Sequence, residues 1–293
     1  MNTSATADAF EAERRHLFGV AYRMLGSAAE AEDILQEAFV RFAEHDADRA
    51  PIASTRAFLT TIVVRLCLDH LKSARARRET YMGPWLPEPL VSMTSMNEAG
   101  PDARVELAES LSLAFLVMLE RLSPLERAAF LLREVFEQPF PEVAAILGTT
   151  DVACRQLVAR ARAHVDENRP RFTASEEKKN ELLAAFMAAC ASADAAKLGA
   201  LLAADVVARS DGGGKVHAAL KPIHGRERVV RFLLGVLEKE PAGAAAEVVR
   251  INGEPGIVIR DEHGARSAVT LSIAGDEIVD VWIVVNPEKL ARC

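Results

Sequence analysis

Residues 140–165 read FPEVAAILGTTDVACRQLVARARAHV, and the rest of the chain is interpreted around them. Val143, Ala144, Ile146 and Leu147 form a short apolar-periodic run that stops at Gly148, the kind of residue that ends a helix. Thr149, Thr150 and Asp151 then offer hydroxyl and carboxylate caps for a second helix. In that helix Cys154, Leu157, Val158, Ala161 and Val165 share one face by helical spacing, while Arg155, Gln156, Ala159, Arg160 and Arg162 take the other. Two short helices about a glycine turn, the second with Arg and Gln outward, describe a helix-turn-helix whose second helix can enter a major groove. Arg offers two parallel donors that match the guanine edge, and Gln a donor and an acceptor that match the adenine edge. A helical hairpin with a solvated charged face has the same local pattern, so the decision falls to the remaining sequence.

At 293 residues the chain has room for two or three domains, and with half its residues hydrophobic it can build sizeable cores. The net charge of −7 argues against coating nucleic acid by charge alone, so any DNA contact must come from local basic patches. Cys67, Cys154, Cys190 and Cys293 are far apart and show no metal-ligand spacing, which reads as free thiols in a reducing cytoplasm, with neither zinc nor disulfide. The start, MNTSATADAF, lacks the basic and apolar segments of a signal peptide, and no apolar run approaches the ~18 residues of a membrane span. The expectation is a cytoplasmic protein without metal or cofactor.

Residues 8–78 read as helices. Phe10, Leu17, Phe18, Ala21 and Leu25 make a stripe that Gly26 and Ser27 end. The next helix, AAEAEDILQEAFVRFAEH, opens on Ser27 as cap, buries Ile34, Leu35, Ala38, Phe39 and Phe42, and exposes Asp33, Gln36, Glu37 and Arg41. A long helix from about Ser54 to Arg78 follows, with Phe58, Leu59, Ile62 and Leu66 inward. Residues 1–48 carry ten acidic and four basic side chains, whereas residues 49–78 carry one and seven. Most charge runs serve solubility, yet an acidic helix beside a basic one also suits a protein that docks on one macromolecule while touching phosphates elsewhere.

The runs AEDILQEAFVRF, TRAFLTTIVVRLCLDHLKSARARRE and LSPLERAAFLLREVFEQPFPEVAAILGTTDVACRQLVARARAHV together resemble regions 2 and 4 of bacterial extracytoplasmic-function sigma factors, in the right order and over most of residues 8–168. The resemblance implies a region 2 helical bundle at 8–78, a linker at 79–104 and a region 4 helix-turn-helix at 105–168. It implies that Asp33, Gln36, Glu37 and Arg41 contact the clamp helices of the largest subunit of core RNA polymerase. The loop near His45 and Asp46, through Ala53, would take a flipped base of the −10 element, and Arg65, Asp69, Lys72 and Arg75 would guide the separated strand. Many family members carry Asn after the Arg of this helix, where this chain has Leu66. Thr150, Arg155, Gln156, Arg160 and Arg162 would meet the −35 element, some of the arginines through phosphates alone. In LSPLERAAFLLREVF, Ser123 is the expected cap and Pro124 the first helical residue, with Leu125, Ala128, Ala129, Leu132, Val135 and Phe136 packed beneath the helix-turn-helix.

The linker holds four prolines and two glycines, which exclude a continuous helix, and its segment Trp85-Leu86-Pro87-Glu88-Pro89-Leu90 reads as a docking strand with Trp85 as the large apolar anchor. WLPEPL also resembles the linker motif of a sigma-factor group with a fused C-terminal extension. That group has two further motifs, and both are present here as Asp211-Gly212-Gly213-Gly214-Lys215 and Asn286-Pro287-Glu288-Lys289-Leu290, with Glu288 where Asp is common. From about Ser175 the pattern turns to two helices (176–191 and 194–202) and short segments DVVARS, KVHAAL, AEVVRI, GIVIRD, RSAVTLSIA and EIVDVWIVV read as strands, with a helix near 226–238. Asn252-Gly253 and Gly275-Asp276 are hairpin signals. The order resembles a SnoaL-like, nuclear-transport-factor-type α+β cone with an antiparallel sheet over residues 175–290.

DGGGK lacks the spacing of a phosphate-binding loop, and its glycines suit a tight turn at positive φ. Related cones host cyclases and isomerases, for which Asp211, His217 and His224 are the candidate bases, but a fold does not assign a function. The expectation is a multidomain, non-enzymatic sigma factor with a regulatory extension, in which DGGGK and WLPEPL meet and NPEKL tunes the contact. Two other readings stand beside it. One is a helix-turn-helix regulator with a small-molecule ligand in the cone, and the other is a cyclase-like enzyme with a DNA-binding N-terminal part.

Overall fold

A computed structural model of the chain describes residues 3–46, 54–79, 81–92, 112–168, 174–239 and 243–293. The chain forms two compact units, Met1–Glu79 with Met118–Asn168, and Thr80–Val117 with Arg169–Cys293.

The first unit opens with α1 (Thr3–Leu25), α2 (Ala28–Asp46) and α3 (Thr55–Glu79), which pack on one another. Gly26 turns the chain at φ +69°, and the Ser27 hydroxyl accepts the Glu30 N–H at 3.2 Å to start α2. Leu17, Ala21, Leu25, Leu35, Ala38 and Leu59 are wholly buried between the three helices, so the apolar stripes of the sequence become one core. Leu66 lies in that core as well, at 5% exposure.

After α4 (Leu113–Leu119), α5 (Pro124–Phe130) begins with a capping box: Ser123 Oγ accepts the Glu126 N–H, and the Glu126 carboxylate accepts from the Ser123 backbone N–H. One turn of π-helix, Leu131–Val135, interrupts the path before α6 (Phe140–Leu147) and α7 (Asp151–Asn168). Leu125 is a correction to the expected core. It sits in the first turn, beyond the edge of the packed face, and is 46% exposed, while Ala128, Ala129 and Leu132 are buried as the spacing predicts. Val135 and Phe136 are only half-buried.

The helix-turn-helix does not stand apart from the first three helices, because α5 and α6 pack on α3. Arg127 is 3% exposed and donates from Nη1 to the Met24 carbonyl and to Glu120, each at 2.6 Å. Burial pushes its pKa down to about 10, which still leaves it charged at neutral pH. A buried cation is tolerated only where acceptors converge on it, so this side chain fixes the end of α1 against α5.

The second unit is a seven-stranded sheet in the order β1-β4-β5-β6-β7-β2-β3. The strands are β1 (Val91–Ser92), β2 (Leu202–Asp211), β3 (Ile223–His224), β4 (Ala245–Ile251), β5 (Glu254–Asp261), β6 (Gly264–Ala274) and β7 (Glu277–Val284). Helices α8 (Glu176–Ala191), α9 (Ala195–Leu201) and α10 (Arg226–Leu237) supply Leu183, Phe186, Leu198 and Val229 to one face of the sheet, where they meet Leu271, Val281 and Ile283. The other face carries Val249, Ile251, Val258, Trp282 and Val284, and is covered by Leu86, Leu113 and Leu290. Alternation along β7 therefore buries residues on both sides, which is why its sequence WIVV is an unbroken apolar run.

Two expectations for this unit are corrected. The sheet is mixed, since β2 runs parallel to β7 while its other pairings are antiparallel. KVHAAL is no strand: Gly213 and Gly214 take positive φ, and the chain stays in turns and coil until Ile223. The hairpin signals are realised, with Asn252 and Gly253 at φ +55° and +82° and Gly275 at +61°.

Gly148 sits at φ +64° between α6 and α7, and a Cβ there would meet nothing within 4 Å, so its role is conformational alone. Gly148→Ala should cost about 1–2 kcal/mol of stability through the left-handed backbone. Gly235, inside α10 with equally open surroundings, should gain about 0.5–1 kcal/mol as Ala. Opposite signs in denaturant titrations of the two variants test this assignment.

Candidate polymerase, nucleic-acid and linker sites

The second helix of the helix-turn-helix presents Val152, Arg155, Gln156 and Ala159 to solvent, while Cys154, Val158, Ala161 and Val165 are buried. Thr150 is exposed and caps α7, its hydroxyl accepting the Ala153 N–H at 3.2 Å. Arg155 donates through Nε and Nη2 to Asp151, both at 3.3 Å. Arg160 reaches Glu126 at 2.8 Å, and Arg162 grips Glu134 at 2.7 and 3.1 Å. The Arg160 hydrogen bond, with those from Ser123, holds the Glu126 carboxyl below its ordinary range. The exposed pairs of Arg160 and Arg162 contribute about 0–1 kcal/mol, so at these two a phosphate can take the place of the carboxylate at little cost. Val152, 67% exposed, was missed at the sequence level. Its signal was its position three and four residues before Arg155 and Gln156, and a thymine methyl is the base feature it suits.

On α2, Asp33, Gln36, Glu37 and Arg41 are exposed along one side, with Val40 among them at 53% exposure. On α3, Arg65, Asp69 and Lys72 are exposed. Lys72 binds Asp69 at 2.8 Å and, with Arg41 nearby, keeps that carboxyl below its ordinary range. The His45 ring lies 4.5 Å from that of Phe58 and thus leans on α3. Asp46 ends α2 and Arg75 lies in α3, but their side chains and the loop 47–53 lie outside the described residues.

The three short motifs come together in the second unit around one carboxylate. Asp211 has no exposed side-chain surface, and four donors reach it. Oδ1 accepts from Tyr81 Oη at 2.6 Å and the Gly213 N–H at 3.0 Å. Oδ2 accepts from the Leu86 N–H at 2.8 Å and Lys289 Nζ at 2.7 Å. Lys289 also donates to the Leu86 carbonyl and lies 4.3 Å from the centre of the Trp85 ring. Asn286 caps the short helix α11 (Pro287–Leu290) by accepting the Glu288 N–H, and donates to Tyr81 Oη at 3.1 Å. Burial, then the bond to Asp211, pushes the Tyr81 pKa up.

Each motif residue has a place in this arrangement. Gly213 is at φ +59°, and a Cβ there would collide with the Asn286 side-chain amide; at Gly212 it would lie 2.6 Å from the Val216 carbonyl. Gly214 passes beside Met82. Lys215 pairs with Glu288 at the surface, both exposed. The large apolar anchor of the linker is Leu86, at 1% exposure, and Trp85 is only half-buried, a correction to the sequence reading. Pro87, Glu88 and Pro89 are buried beside Leu86, and Leu290 closes the same cluster. Asn252, unflagged by the sequence beyond its turn, accepts the Leu90 N–H and donates its own N–H to the Leu90 carbonyl. Of the candidate bases, Asp211 is consumed by these donors, and His217 and His224 are exposed and are not among its partners. Among the described residues no group of three or more His, Cys, Asp or Glu is placed to hold a metal, and no helix is long and apolar enough to cross a membrane.

Removing one partner of a buried pair strands the other. Asp211→Asn and Lys289→Met should each destabilise the second unit by about 3 kcal/mol. The double variant should cost clearly less than the sum, as read from denaturation midpoints in a double-mutant cycle.

Residues 9–77 match the family described as Sigma-70 region 2, and residues 112–165 match Sigma-70, region 4. The ECF RNA polymerase sigma factor SigJ of Mycobacterium tuberculosis (strain H37Rv) is 40% identical over 290 residues, 96% of this chain and 91% of that protein. The probable ECF RNA polymerase sigma factor SigI of M. tuberculosis (strain CDC 1551) is 32% identical over 289 residues, 96% and 93% of the two chains. The crystal structure of M. tuberculosis SigJ superposes with a TM-score of 0.77 at 38% identity, over 98% of both chains. With both sigma regions in order and relatives alike along nearly their whole length, the chain belongs to the extracytoplasmic-function RNA polymerase sigma factors of the sigma-70 family.

Proposed function

We propose that the chain binds core RNA polymerase through the exposed side of α2, with Asp33, Gln36, Glu37 and Arg41 as contacts and Val40 as the apolar centre. The solvent side of α3 (Arg65, Asp69, Lys72 and, further along, Arg75) then guides the separated −10 strand beside His45 and Asp46. Helix α7 reads the −35 element through Arg155 and Gln156, with Arg160 and Arg162 on phosphates and Thr150 at the helix start. The chain lends promoter recognition and melting to the polymerase, and no covalent chemistry of its own is assigned to it.

The fused C-terminal domain modulates this activity in cis. The observation that carries this reading is the Asp211 arrangement. WLPEPL lies between the two sigma regions in sequence, yet its backbone is hydrogen-bonded to Asp211 and Lys289 of the C-terminal domain. Whatever strengthens or loosens that grip changes how the segment between region 2 and region 4 is held. Lys289, with 12% of its side chain exposed beside the buried Asp211, is the sensitive lysine, and exposed Lys215 is the minor one.

Run-off transcription with purified core polymerase, on DNA upstream of this protein's own gene and its neighbours, tests both parts. Specific transcripts are expected from the full chain and from a chain ending at residue 172. Their ratio gives the sign of the extension's effect, and Lys289→Met should move the full chain toward the shortened one. Equal activity of all three would remove the cis-regulatory part of the proposal, and no transcript from any would remove the whole.

A further inference from the structure

At the start of the helix-turn-helix, Arg155 stacks with two side chains to which no role has been given, Phe140 and Arg133. The Phe140 ring, half-buried at the first residue of α6, has the Arg133 guanidinium 4.8 Å from its centre and the Arg155 guanidinium 4.2 Å from it. The local backbone is unusual where it delivers Arg133 and Phe140. Arg133 lies in the π-helical turn, closed by the Phe136 N–H on the Leu131 carbonyl, and its Nη1 donates to the Gln138 carbonyl at 3.1 Å. Glu137 follows at φ +53°, a left-handed conformation that a residue with a Cβ adopts at a cost. A π-turn and a strained residue at one corner commonly accompany a functional demand.

The geometry at Arg155 says what that demand is. Asp151 takes the Nε and Nη2 hydrogens, the side edge of the guanidinium. The Phe140 ring sets the guanidinium's place against α6 by a cation–π contact. The end edge, with the outward N–H groups of Nη1 and Nη2, is left for two parallel acceptors. Guanine O6 and N7 form such a pair in the major groove. Arg155 is in the second turn of α7, and the N-terminal part of a recognition helix is the part that meets base edges. A side chain already fixed loses less freedom on binding, so its contact depends more on the base opposite.

On the reading that α7 meets the −35 element, we propose that Phe140 is a positioning residue for Arg155, and that Arg155 held in this way selects a guanine there. The test uses holoenzyme assembled from core polymerase and the full chain, with a promoter library randomised across the −35 region and the selected sequences counted. Wild type is expected to prefer guanine at one position, and Arg155→Ala to abolish that preference. Phe140→Leu should weaken it by roughly fivefold or more, out of the 5- to 150-fold that a bidentate contact supplies, with other positions little changed. Phe140→Tyr, which keeps the ring, should restore it. Phe140→Met keeps the volume without the π face and serves if the leucine variant does not fold. An unchanged guanine preference in Phe140→Leu, an equal weakening at every position, or a tyrosine variant as poor as leucine would each overturn the proposal. A wild-type library with no −35 preference at all would instead overturn the −35 reading on which it rests.

Discussion

A carboxylate removed from water must find donors for both oxygens, and most of the second unit can be understood from how Asp211 finds its four. One donor is backbone from its own loop, which requires the chain to double back at once and brings Gly213 against Asn286 with no room for a Cβ. Two come from the linker, Tyr81 Oη and the Leu86 N–H, so that ordering Asp211 means ordering the linker. The fourth is Lys289, the one cation among the four donors, and it reaches Asp211 only because Asn286 starts a short helix at the right residue. The apolar consequence follows from the polar one. With residues 81–90 tied down, Leu86 packs with Trp282, Val284 and Leu290 and covers a sheet face that would otherwise lie open to water.

The first unit uses the opposite charge to the same end. Arg127 offers donors to a helix-terminal carbonyl and a glutamate, and the Met24 carbonyl it meets is one of those that α1 leaves unpaired at its end. The surface arginines of α7 are also paired with carboxylates, yet their pairs mean something different. Arg127 is nearly dry, so its loss leaves buried acceptors unsatisfied, whereas Arg160 and Arg162 are more than half exposed and can trade a carboxylate for another anion. Equal-looking ion pairs thus divide into one that builds the fold and others available to a ligand.

How much of this was legible in the sequence depended on range. Features governed by neighbouring residues read correctly: the caps at Ser27, Ser123 and Thr150, the stop at Gly148, and the hairpins at Asn252-Gly253 and Gly275-Asp276. Features set across the chain did not. The parallel pairing of β2 with β7 joins strands some seventy residues apart, and nothing local distinguishes it from an antiparallel one. KVHAAL alternates like a strand, but the backbone leaving Asp211 is taken up by a turn. Trp85 is larger than Leu86 and so looked like the anchor, yet alternation along the extended segment turned the smaller residue inward while Trp85 covers Lys289. The motifs could be recognised as three strings, but that one buried carboxylate joins them required coordinates.

The candidate DNA-reading surface was legible as a face and illegible as a set of conformations. Helical spacing placed Arg155, Gln156, Arg160 and Arg162 outward, and it could not say that each arginine would already be held at its Nε. That detail bears on how an acidic chain can recognise DNA at all. With a net charge of −7, long-range attraction is a poor source of affinity, and arginines half-neutralised by Asp151, Glu126 and Glu134 weaken it further. What Arg155 retains, set against the Phe140 ring as well as Asp151, is direction: a guanidinium held on one edge offers its remaining N–H groups along fixed lines. On the proposed −35 reading, such a side chain gains most where acceptors lie on those lines, which favours one sequence over the many it must leave untouched.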